Sequence, residues 1–117
     1  MPDVDIPNRV ANFSSTGNNA NSLAAQTVFT PSVAGLYRVS VYLATSLGSA
    51  AISATLKVSY SDAYGAESVS QSFNNVPPQM TVELYSAASV AIQVAVPNIT
   101  TASGTVPFDI YCEVEQL

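Results

Sequence analysis

Thr27-Val28-Phe29-Thr30-Pro31-Ser32-Val33-Ala34-Gly35-Leu36-Tyr37-Arg38-Val39-Ser40-Val41-Tyr42-Leu43 reads as a strand, a proline-containing turn and a second, longer strand. In the second strand Tyr37, Val39, Val41 and Leu43 share one parity, while Arg38 and Ser40 take the other. A period of two with one apolar side marks a strand that lays one face on a core and shows the other to water.

The same alternation runs through most of the chain after residue 25. Ile52, Ala54, Leu56, Val58 and Tyr60 oppose Ser53, Thr55, Lys57 and Ser59. Ser61-Asp62-Ala63-Tyr64-Gly65 supplies turn chemistry, and Glu67 to Phe73 pairs back as the second arm of a hairpin. Asn74 to Pro78 is a break, because proline gives no amide hydrogen to a ladder. Met80, Val82 and Leu84 then alternate with Thr81, Glu83 and Tyr85, and Val90, Ile92, Val94 and Val96 follow. Pro97 to Gly104 reads as a loop. The final strand turns Val106, Phe108, Ile110, Cys112 and Val114 inward, with Asp109, Tyr111, Glu113 and Glu115 outward.

Residues 1 to 24 are rich in Asn, Ser and Ala and show little periodicity, so they read as an extended N-terminal arm before a domain spanning 25–117. A short strand is expected near Arg9 to Phe13, with Val10 and Phe13 anchoring the arm to a sheet or to another subunit. Counting it gives about eight closely spaced strands. That pattern predicts an all-β, antiparallel two-sheet sandwich of jelly-roll type.

Composition narrows the functional classes. The chain has 117 residues, room for one domain, and 48% of them are hydrophobic while only 9% are charged, against roughly 25% charged in an average soluble domain. Its net charge is -5, with Arg9, Arg38 and Lys57 as the three cations. Three scattered cations cannot neutralise a run of phosphates, so neither nucleic acid nor an anionic membrane surface is an expected partner. Histidine is absent and Cys112 is the single cysteine, which removes Ser-His-Asp and Cys-His catalysis, zinc sites and an internal disulfide. No cofactor is expected. Met1 to Asn8 lacks the basic start and apolar run of a secretory signal, so synthesis in a cytoplasm is expected.

Two carboxylate groupings are candidates for chemistry. Asp109, Glu113 and Glu115 lie on one strand; residues four apart on a strand are ~13 Å from each other, too far for a glycosidase pair. Glu113 and Glu115 alone meet the spacing, but a solvated strand face explains them more simply. Asp62 and Glu67 flank a turn and are few for a calcium site, whereas turn chemistry accounts for Asp62. The chain is therefore expected not to be an enzyme. Tyr42, Tyr64, Tyr85 and Tyr111 fall on polar parities or in turns, which suits contact with a partner. Such tyrosines are expected to line a subunit interface or to stack on sugars, and any that do neither are isolated surface residues.

The order of Phe29-Thr30-Pro31, a short apolar linker, Gly35-Leu36-Tyr37 and an alternating strand resembles the opening of the jelly roll in C1q/TNF-like trimeric domains. It is similar, more closely, to the small jelly-roll modules of tailed-phage structural proteins, as is the ending Phe108 to Leu117. The resemblance covers about residues 25–117. It implies a virion structural protein, and, with no long fibre-forming sequence before the domain, a capsid decoration (cement) protein. Its partners would be the major capsid protein and two further copies of itself in a homotrimer, on the outer surface of the head. A receptor- or glycan-binding domain of a phage tail or fibre is the alternative. An aromatic platform with Asp, Asn or Gln beside it would favour that alternative.

Overall fold

The computed structural model describes residues 8–117 as eight strands. They are β1 (Asn8–Ala20), β2 (Leu23–Phe29), β3 (Gly35–Ala44), β4 (Ser53–Asp62), β5 (Gly65–Asn74), β6 (Gln79–Ser86), β7 (Ile92–Thr100) and β8 (Val106–Gln116). One four-stranded sheet has the order β1-β8-β3-β6 and the other β2-β7-β4-β5, all neighbours antiparallel. The pairs β1 with β8, β2 with β7, β3 with β6 and β4 with β5 are those of one long hairpin whose tip is the β4–β5 turn. Rolling that hairpin joins β8 to β3 and β7 to β4, which makes the jelly roll expected from the strand count.

The parity read from the sequence places the core. Tyr37, Val39, Val41 and Leu43 of β3 share one buried core with Ala54, Leu56 and Val58 of β4 and with Ile52 just before it, and the five inward residues of β8 are buried among them. Phe29 is half-buried beside Tyr37, ring centres 5.9 Å apart, and the Tyr37 hydroxyl donates to the Val33 carbonyl at 2.7 Å. A buried phenol needs such a partner. Cys112 is also buried, and the apolar surroundings push its thiol up from 9.0 to about 12.

Two expectations are corrected. Residues 8–20, assigned to an arm outside the domain, form β1 and pair with β8 along its length, and the boundary at residue 24 falls inside β2. Residues 1–7 of that arm lie outside the described residues. The period of β1 is hidden because most of its inward positions, Ala11, Ser15, Asn18 and Ala20, are small or polar and because two bulges interrupt it, at Val10 and at Thr16-Gly17. Gly17 adopts φ +71°, which glycine reaches without strain, and its amide donates to Asp109 Oδ1 at 2.8 Å. Val10 and Phe13 are half-buried against the core of their own sandwich.

The second correction concerns Pro97 to Thr100, read as loop but forming the end of β7. Between Lys57↔Ala95 and Thr55↔Asn98 the register slips, so Val96-Pro97 forms a bulge that carries the proline through a central strand. The bulge also shifts parity, and Ile99 is buried in sequence with Ile92, Val94 and Val96. Val90, read as the start of this inward row, is exposed in the turn before β7.

Candidate functional site: the outer face of the first sheet

The central strands β3 and β8 set the site. Tyr42 and Tyr111 lie directly opposite each other in their register, and opposite residues in an antiparallel pair share a face. That face is the outer one, because Val41, Leu43, Ile110 and Cys112 on either side of them point into the core. Tyr42 is 43% exposed and Tyr111 45%. On the flanking strands, Gln79 of β6 stands opposite Tyr42 and Ser14 of β1 opposite Tyr111.

One step along the strands lies a polar row, Asn12, Glu113, Ser40 and Thr81, in that order across the sheet. With strands ~4.8 Å apart and same-face residues ~6.8 Å apart, each row is ~14 Å wide and the two rows adjoin. Together they line a concavity of about 580 Å³ bordered by Asn12, Ser40, Tyr42, Gln79, Tyr111 and Glu113. Two aromatic rings with carboxamides at either edge and a carboxylate beside them offer apolar surface and hydrogen-bonding groups on one rigid platform.

The next row is closed by ion pairs. Arg9 Nη1 donates to Glu113 Oε2 at 3.2 Å, and Arg38 reaches Glu83 at 3.2 Å and Glu115 at 3.3 Å. Both arginines of the face are thus matched with carboxylates, and the third cation, Lys57, belongs to the other sheet. Beyond this row Leu36 stands opposite Tyr85, and the Leu117 amide donates to the Leu36 carbonyl, so three exposed apolar side chains gather at that end.

Of the residues expected to make contacts, the fold brings Tyr42 and Tyr111 together. Tyr85 is 47% exposed on the same face but three rows away, ~20 Å along the strands. Tyr64, 97% exposed, occupies the tip of the β4–β5 hairpin in the other sheet, its amide donating to Asp62 Oδ1 at 2.8 Å. That bond gives Asp62 the turn role expected of it. Asp109, weighed with Glu113 and Glu115 for catalysis, accepts from Gly17, so each of the three carboxylates is engaged. Among the described residues no group of three or more His, Cys, Asp or Glu is placed to hold a metal ion. Neither Asn12 nor Gln79 stands out in the sequence as a contact residue. One lay in the supposed arm and the other directly after Pro77-Pro78, where no strand parity could yet be assigned.

No family model and no curated protein matches the chain. Among solved structures, the apo form of BiXyn10A CBM1, a carbohydrate-binding module of a xylanase, is similar with a TM-score of 0.50 and 13% identity, over 94% of this chain and 82% of that one. The two share a β-sandwich fold; identity this low carries no residue roles across.

Proposed function

We propose that this domain binds a neutral glycan on the outer face of its β1-β8-β3-β6 sheet. The observation that carries this reading is the Tyr42–Tyr111 pair with Asn12 and Gln79 at its edges. The C–H faces of a sugar ring are apolar and cover well on a phenol ring, while its hydroxyls match carboxamides and carboxylates that both give and take hydrogen bonds. Strands hold the two rings in place, so little side-chain order remains to be lost on binding. A neutral ligand suits the electrostatics, because the arginines of this face are already matched and the chain carries a net charge of -5. The sandwich fold shared with a carbohydrate-binding module is in keeping with this role. The domain acts by holding its ligand and breaks no bond.

The second reading is the capsid decoration protein, and the exposed Leu36, Tyr85 and Leu117 favour it. An apolar cluster at the end of a rigid face suits docking on another protein, and a trimer on a phage head would engage several such sites at once. The phage setting of either reading, at a tail or fibre for the glycan and on the head for the capsid, rests on the segment Phe29 to Leu43 and, more weakly, on the ending Phe108 to Leu117.

Affinity electrophoresis separates the two. Native gels containing soluble xylan, mixed-linkage β-glucan or galactomannan are expected to retard the protein in at least one case, and polygalacturonate is expected not to. Free migration in all of them, with co-sedimentation on undecorated phage heads, would overturn the glycan reading in favour of the second.

A further inference from the structure

The jelly roll leaves four edge strands, and β5 differs from the other three. The edges of β1 and β2 are each interrupted by two register shifts, and β6 is short and carries Glu83 in an ion pair. Such features protect an edge from pairing with another chain. Strand β5 instead runs ten residues with β4 in unbroken register, has no proline, and holds one charge, Glu67. Every residue of it except Phe73 is exposed, on both faces of the sheet. Among the described residues nothing pairs with its outer side.

The phase of the ladder shows which peptide groups face outward. The Ile52 carbonyl accepts from the Asn75 amide at 2.9 Å on the β5 side, and the Ser61 carbonyl accepts from the Ala87 amide at 2.7 Å, away from β5. Even-numbered residues of β4 therefore bond to β5, and their odd-numbered β5 partners, such as Val69 opposite Val58, bond back. Ala66, Ser68, Ser70 and Ser72 direct their amides and carbonyls outward.

We propose that β5 pairs antiparallel with β5 of a second copy of this chain, about a two-fold axis at Val69, to form a continuous eight-stranded sheet. In this register Ser68 bonds to Ser70 of the second copy through the outward peptide groups, and the two Val69 side chains, each 38% exposed in one copy, meet in a non-hydrogen-bonded pair. The Gln71 carboxamide donates to the Glu67 carboxylate of the second copy, twice over, so the strand's one charge meets a neutral donor. A two-fold pairing uses the same edge on both copies and closes at two.

Light scattering tests the mass and two substitutions test the register. The native protein is expected at twice 12.2 kDa at high micromolar concentration. Gln71→Glu, on an exposed position, sets carboxylates against Glu67 across the axis and is expected to give single copies with an unchanged far-ultraviolet spectrum. Val69→Cys is expected to form an intermolecular disulfide in air and Ser70→Cys to form little, since the axis brings Val69 and not Ser70 against itself. A native mass of one or of three copies, a Gln71→Glu protein that stays paired, or equal cross-linking at 69 and 70 would overturn the proposal.

Discussion

Tyr42 and Tyr111 stand opposite each other across the β3–β8 pair, nearly half exposed, at the middle of a four-stranded sheet whose other face is the core. Because the rings lie outside the core, replacing them removes contact surface from the platform and little from the fold. Tyr42→Ala and Tyr111→Ala are each expected to lower stability by less than about 1 kcal/mol, the scale of one cross-strand aromatic pair. Denaturant melts of the two variants measure this, and a larger loss would assign the pair a structural role.

Leu56 is fully buried on β4 while Lys57, the next residue, faces outward. Leu56→Ala is expected to cost about 2 to 5 kcal/mol through lost burial and the cavity left behind. Lys57→Ala is expected to stay within about 0.5 kcal/mol. Comparable losses in urea melts would mean that β4 is turned the other way.

Strand β1 is a structural member of the first sheet, which reverses what an arm would do. Val10, Ala11, Phe13 and Ala20 pack on the core, and Asn18 Nδ2 donates to the Phe108 carbonyl at 3.2 Å. Removing Asn8–Ala20 uncovers the inward row of β8 and leaves that strand without one of its two partners. Such a truncated chain is expected to lose most of its cooperative thermal transition. Melting at the temperature of the full chain would contradict the placement of β1.

Cys112 keeps its proton in the folded state up to about 12, because burial disfavours the thiolate. The unfolded thiol ionises near 9.0, so the folded state holds more protons between these values and stability falls as pH rises through that window. Below 9.0 the contribution is fully present. Relative to Cys112→Ala, the native protein is expected to lose stability between pH 9 and 12 and to react with thiol reagents at pH 8 only on unfolding. Immediate labelling of the native protein would contradict the burial.

Wherever one face of a strand is uniformly apolar, the fold was legible in advance. Residues 37–43, 52–60, 80–84 and 106–114 point as their alternation says, and with the turn at Asp62-Gly65 they lead to the jelly roll. What stayed hidden were the bulged strands. At Thr16-Gly17 and Val96-Pro97 an extra residue resets the period, so β1 read as an arm and the end of β7 as a loop. The site was half legible for a related reason. Tyr42 and Tyr111 stood out as aromatics on polar parity, but which tyrosines meet depends on the β3–β8 register, a long-range pairing that no local pattern encodes. Asn12 joins them only through the pairing of β1, the strand whose period is broken.

The glycan reading is tested most directly by calorimetric titration of the protein with the neutral polysaccharide that retards it most in affinity gels. Tyr42→Ala and Tyr111→Ala are each expected to weaken binding about tenfold or more, ~1.4 kcal/mol, as loss of an aromatic anchor does. Tyr64→Ala, at the hairpin tip in the other sheet, is expected to bind as the native protein does. Native affinity in both platform variants, or binding lost through Tyr64→Ala alone, would contradict a glycan site on the outer face of the first sheet.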